Sequence, residues 1–174
     1  MVVRVAATRY RIVPEKSLIW AEATSSLHAI RAESSAIVGH LDADVAADRL
    51  APSSTPCAHV EFEVKSMKSG NRLFDMEVER RLDARRYPLV EGDVRDVAVV
   101  GADPGHYQVQ GDIAFHGVTK RIGGLVTLTS LDTTTLQIEG SVALDMRDFD
   151  ITPPNYVNPM FTISVRVVAE REKA

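Results

Sequence analysis

One cysteine, Cys57, stands in 174 residues, so no internal disulfide can form. That excludes the disulfide-stapled small scaffolds and suits a reducing compartment. A chain of this length buries roughly 70% of the surface its unfolded form exposes, so it needs no staples. An excess of charge of one sign is also missing. Twenty Lys and Arg against 24 Asp and Glu leave a net charge of -4, with the cations scattered, so no basic surface for a nucleic acid is present. No run approaches the ~20 apolar residues that a membrane-spanning helix needs. Met1 to Ala6 lacks the charged segment and roughly 7–15-residue apolar stretch of a secretory leader. The chain as it stands is therefore expected to be cytoplasmic, with a periplasmic location expected only if a leader has been removed.

Catalytic signatures are missing as well. There is no GxSxG elbow, no GxGxxG and no GxxxxGK[ST] loop. His28, His40, His59, His106 and His116 are widely spaced and none stands in a metal-binding spacing. Asp145, Asp148 and Asp150 invite a calcium reading, but a calcium loop counted from Asp148 needs Gly and Glu where Pro153 and Pro159 stand. Cys57 has no neighbour that would lower its pKa and is read as inert. His116 follows a strand and precedes Gly117. It is either a turn residue packed on its loop, the favoured reading, or a general base at a barrel mouth. No catalytic residue, metal or cofactor is assigned.

What the chain does have is alternation. Val60, Phe62 and Val64 alternate with polar residues, as do Tyr107, Val109, Ile113 and Phe115. Leu136, Ile138, Val142 and Leu144 form a third such series, and Phe161, Ile163, Val165 and Val167 a fourth. Period two marks half-buried strands with one apolar face. Leu18 to Ala23 is apolar on both sides, and the Trp20 face is taken as inward because the large ring gains most from burial. Pro52 to Pro56, Gly101 to Gly105 and Thr152 to Asn155 read as loops. Leu41 to Ala51 reads as strand then loop. Asn71 to Arg86 breaks the pattern: Leu73 with Met76, and Phe74 with Val78 and Leu82, predict a short helix ended by Tyr87-Pro88. No linker or repeat divides residues 1–174, so one domain is expected, a β-sandwich or a closed barrel.

Tyr107-Gln-Val-Gln-Gly111-Asp-Ile-Ala-Phe115-His-Gly117-Val-Thr-Lys120 resembles the Y-x-V-x-G-x-L-x-I-x-G-V-T-K segment of the YceI-like family. Tyr10, Pro14 and Ser17 resemble that family's opening. Ser66, Ser69-Gly70-Asn71 and Asp75, followed by Tyr87-Pro88, resemble its middle motif, and Asp148-Phe149 and Ile151 its last. The resemblance implies a lipocalin-like antiparallel eight-stranded barrel with a short helical insertion and a long-chain lipid or polyisoprenoid held in the lumen. The chain departs from the family at Leu82 and near Gly92, where Phe is frequent, and at Met146 and Asp150, where Arg and Gly are usual.

The leading expectation is binding, transport or storage of a long-chain apolar ligand, without catalysis. Its lining is expected from Trp20, Phe62, Val64, Tyr107, Val109, Ile113, Phe115, Ile138, Val142, Phe161, Ile163 and Val165, with His116, Asn71 or Tyr10 at a head group. The alternatives are an enzyme acting on a small hydrophobic molecule in the lumen and an interaction module whose barrel is packed solid. A polar cluster inside the lumen would favour the first of these, and a filled interior the second. Strands left unclosed at an edge would favour a homodimer.

Overall fold

A computed structural model describes residues 7–47, 49–52, 54–102 and 104–173. Its strands are β1 (Arg9–Ile12), β2 (Leu18–Ser25), β3 (Ala29–Ser34), β4 (Val38–Asp42), β5 (Val45–Ala46), β6 (Arg49–Leu50), β7 (Cys57–Glu63), β8 (Leu89–Val99), β9 (His106–Phe115), β10 (Val118–Ser130), β11 (Thr135–Asp145) and β12 (Val157–Arg171). Every pairing is antiparallel.

The sheet closes because β1 and β2 are two halves of one strand, and so are β3 and β4. The long β12 pairs with β11 on one edge. On the other it pairs first with β2, through Val157↔Ser25 to Arg166↔Leu18, and then with β1, through Ile12↔Ala169 to Tyr10↔Arg171. β4 joins β1 to β7. The result is an eight-stranded closed antiparallel barrel. The 3-10 turn Pro14–Lys16 breaks the ladder between β1 and β2, and Ser17 repairs it. Its hydroxyl donates to the Val13 carbonyl at 2.7 Å and accepts from the Val168 N–H at 3.0 Å, so the interrupted backbone groups keep partners.

Two apolar clusters fill the two ends. One gathers Phe62, Val64, Val90, Phe115, Leu144, Phe149, Ile151 and Phe161. The other gathers Tyr10, Tyr107, Leu128, Leu136 and Ala169. The β5–β6 hairpin covers the second end: Val45 and Leu50 pack on that cluster, and the Leu50 N–H donates to the Tyr107 hydroxyl at 2.7 Å. The stretch after Leu41 is thus a small hairpin cap, where a plain loop was expected.

The helix α1 spans Arg72–Arg81, shorter than the expected 71–86. Asn71 caps it, its Oδ1 accepting from the Phe74 N–H at 3.1 Å. Asp83 takes a left-handed backbone (φ 46°) just past its end and turns the chain away five residues before Pro88. Of its two apolar spacings, one is half-buried: Phe74, Val78 and Leu82. Leu73 is 79% exposed and Met76 also faces solvent. Leu82 and Ala84 pack on the first cluster, so the insertion lies at that end of the barrel. Among the described residues no helix is long and apolar enough to cross a membrane.

Candidate functional site

Between the two packed ends lies an apolar cavity of about 190 Å³. Ile19, Ile37, Val60, Phe62, Val90, Val109, Ile113, Ile122, Val126, Val142, Ile163 and Val165 line it. Glycine recurs along one side of its wall. Four consecutive strands carry glycine at an inner-face position: Gly92 on β8, Gly111 on β9, Gly124 on β10 and Gly140 on β11, all on the cavity wall. Gly111 cannot be anything else, since a Cβ there would meet the Asp93 carbonyl oxygen of β8 at 2.1 Å. Gly124 has room, with the Ser141 carbonyl oxygen 3.6 Å away as the one atom near its Cβ.

The wall is thin at one place. β10 pairs with β11 only from Leu125↔Ser141 to Ser130↔Leu136, so residues 118–124 of β10 have no ladder partner on β11. The 3-10 turn Met146–Phe149 packs against both strands and fills part of this gap. Phe149, 1% exposed, is driven into the first cluster and packs at a tilt against Phe115, with ring centroids 5.5 Å apart. The remaining slot, flanked by Gly123, Gly124 and Ser141, borders the cavity.

The expected lining residues separate into three groups. Phe62, Val109, Ile113, Val142, Ile163 and Val165 border the cavity. Val64, Phe115 and Phe161 belong to the first end cluster, Tyr107 to the second, and Ile138 packs against both. Trp20 is on the outer face, contrary to expectation. Its indole N–H donates to Glu22 at 2.8 Å, and the Arg31 guanidinium sits 5.1 Å over the ring. An indole turned inward would bury a donor among hydrocarbon with no acceptor, whereas outside it gains both a carboxylate and a cation–π contact. Ile19 takes the inner place, 3% exposed.

The three expected head-group residues are engaged elsewhere. Tyr10 is buried in the second cluster, away from the cavity wall. Asn71 caps α1. His116 and Gly117 form a two-residue hairpin turn with φ of 53° and 76°, the left-handed pair of a type I′ turn. The His116 Nδ1–H donates to the Phe149 carbonyl at 2.9 Å, and its ring lies 4.8 Å from that of Tyr87. A Cβ on Gly117 would come within 2.7 Å of the Tyr87 ring, so the tyrosine closes over a glycine. His116 is therefore a turn residue that ties the β9–β10 hairpin to the turn at Phe149.

The middle motif is likewise structural. Asp75 accepts from the Ser69 N–H at 3.0 Å and the Ser69 hydroxyl at 2.6 Å, and the Ser34 hydroxyl donates to Ser66 at 2.8 Å. Asp145 accepts from the Arg147 N–H at 2.9 Å and caps its turn. Cys57 is exposed, and partial burial and then Asp42 push its thiol pKa up, away from the reactive thiolate.

Polar groups gather on the outer wall. The hydrogen bond to Asp93 holds the His59 pKa above its ordinary value, burial works against it, and the neighbouring Glu61 carboxylate adds a smaller push upward. Glu91, Asp93 and Asp112 border the cavity through their backbones, and β8 and β9 carry their side chains outward.

A sheet closed on itself around an apolar chamber, its inner face almost all hydrocarbon, defines a lipocalin-like barrel. The chain belongs to the YceI-like domain family, whose pattern matches residues 10–169. Solved structures share the fold. BcnA of Burkholderia cenocepacia superposes with a TM-score of 0.77 at 16% identity, covering 90% of this chain and 98% of that one. A polyisoprenoid-binding domain from Saccharophagus degradans, implicated in plant cell wall breakdown, gives 0.75 at 12% identity, covering 94% and 98%. The Campylobacter jejuni YceI protein gives 0.66 at 15% identity, covering 79% and 82%. No curated protein matches the sequence.

Proposed function

We propose that this barrel binds a long-chain apolar ligand, a polyisoprenoid or another lipid, by seating part of its chain in the central cavity, and that it carries or stores that ligand without catalysis. The observation that carries this reading is the cavity itself: apolar, bounded by Val, Ile and Phe side chains, with four inner-face glycines on its wall. The polyisoprenoid-binding domain from Saccharophagus degradans, which shares the fold, supports the ligand class. An apolar cavity of about 150 Å³ takes up benzene. By that measure, about 190 Å³ seats a segment of about seven or eight carbons. The rest of a longer chain leaves through the slot between β10 and β11. Apolar contact contributes about 0.8 kcal/mol per buried CH₂, so such a segment supplies roughly 6 kcal/mol before the cost of association.

The enzyme alternative needs a polar cluster facing the lumen, and the side chains on the cavity wall offer hydrocarbon. The packed-module alternative needs a filled interior, which the cavity does not support. Native mass spectrometry of the purified chain, followed by organic extraction and by titration with geranylgeraniol, tests the proposal. A co-purifying apolar mass, or one-to-one uptake of geranylgeraniol, is expected. Neither one appearing would refute it.

A further inference from the structure

Metal-type ligand atoms converge on the outside of the wall, on a surface the cavity does not use. The outer face of β7 carries His59 and Glu61, and that of β8 carries Glu91 and Asp93. The register sets His59 opposite Asp93 and Glu61 opposite Glu91. His59 Nδ1 lies 2.8 Å from Asp93 Oδ1, and Nε2 lies 3.4 Å from Glu61 Oε2. With Nδ1–H donated to Asp93, the Nε2 lone pair turns toward Glu61. A carboxylate behind the ring sets metal-bound histidines in this way. One ligand atom each from His59, Glu61 and Glu91 lies within 4.8 Å of the others, and all three residues are half-buried. An ion about 2.0–2.2 Å from each ligand brings such atoms to at most about 4.4 Å apart, which a small rotation of the glutamates achieves.

Charge gives a separate reason for a cation here. Glu61 faces Glu91 directly across the ladder, and Asp93 faces Asp112. Like charges directly opposite on neighbouring strands destabilise a sheet. Arg121 stands opposite Asp112 on β10 but makes its ion pair with Asp96, and among the described residues no Lys or Arg forms an ion pair with any of these four carboxylates; Glu61 and Asp93 pair only with His59. A protonated His59 would cancel one negative charge of four. A divalent ion cancels two and bridges the opposed glutamates.

We propose that His59 Nε2, Glu61 and Glu91 form a surface site for a divalent transition-metal ion, with Asp93 as the positioning residue behind His59. One imidazole with two carboxylates suits zinc or manganese, whereas magnesium and calcium favour all-oxygen sets. Gly92, between Glu91 and Asp93, lies on the cavity wall, so the ion would pin β7 to β8 directly behind the ligand chamber.

Isothermal titration of the whole, EDTA-stripped chain with zinc chloride tests this, with circular dichroism checking each variant's fold. One zinc per chain in the micromolar range is expected. H59A and E91Q should each weaken binding at least tenfold, and D93N about tenfold, the usual loss for a group behind a ligand. H106A, which removes an exposed histidine outside the cluster, should leave binding unchanged. Zinc should raise the melting temperature of the parent chain and not of H59A. No zinc uptake at millimolar concentration, or uptake that H59A and E91Q leave unchanged, would overturn the site. Uptake unchanged in D93N would overturn the role of Asp93.

Discussion

Replacing Gly124 with leucine separates the cavity from the barrel that contains it. The position is on the inner face of β10, borders the cavity, and offers a new Cβ no atom closer than 3.6 Å. A leucine there points four carbons into the chamber. At the benzene measure of about 25 Å³ per carbon they occupy about 100 Å³, half of the 190 Å³ present. Burying that side chain contributes about 1.5–3 kcal/mol, and removing a glycine from a strand interior adds about 0.5–1 kcal/mol, less some repacking. The net expectation is a chain more stable by about 1–3 kcal/mol, raising Tm by roughly 3–10 °C. Binding moves the other way. Four displaced carbons at about 0.8 kcal/mol each weaken an apolar ligand by about 3 kcal/mol, roughly two orders of magnitude in Kd. Thermal unfolding and calorimetric titration with 1-octanol read the two effects on one preparation. Octanol affinity equal to that of the parent chain, or a destabilised variant, would refute the placement of Gly124 on the chamber.

Three further substitutions test other parts of the account. Phe149→Ala removes a ring that is almost fully buried and should cost about 3–5 kcal/mol in denaturant unfolding, whereas a loss below about 1 kcal/mol would mean that the turn does not plug the barrel end. Trp20→Ala should leave octanol affinity within twofold, because the ring lies outside; a tenfold loss would put it back in the lumen. The hydrogen bonds from Arg9 hold the Asp42 pKa below the ordinary carboxylate value, so their contribution is complete above the pKa of the unfolded chain and is lost as pH falls through the folded value. Asp42→Asn should therefore flatten the acid limb of a stability–pH profile below about pH 4, and an unchanged limb would show that the pair is not coupled to folding.

The strands with one apolar face were legible because a core needs that pattern. The alternation through Val60–Val64, Tyr107–Phe115, Leu136–Leu144 and Phe161–Val167 places each series on the inner face. β2 was not legible, since Leu18 to Ala23 is apolar on both sides. What decides it is Arg31 and Glu22, set opposite each other by the β2–β3 register. Closure was hidden for a related reason. β1 with β2, and β3 with β4, are single strands broken in the middle, and only the paired register shows that each half serves a different neighbour.

The cavity was legible only in fragments. Gly92, Gly111, Gly124 and Gly140 are ordinary glycines along the chain and become a diagonal belt only when the three registers from β8 to β11 bring them together. The motifs that carried the family resemblance do structural work: Gly111 permits a close strand crossing, Gly117 a left-handed turn under Tyr87, and Asp75 a helix anchor. They identify the barrel and leave the ligand to the lining. Asp150, where the family usually has glycine, shows the same logic, since its φ of 56° is a conformation glycine adopts freely.

Calorimetric affinities for the parent chain with primary alcohols from 1-butanol to 1-dodecanol test the central claim most directly. Each methylene seated in the chamber should tighten binding about fourfold, up to about eight carbons, after which the gain per carbon should fall sharply as the tail reaches the β10–β11 slot. Failure of every alcohol to bind, whatever its length, would contradict an apolar ligand site in the barrel.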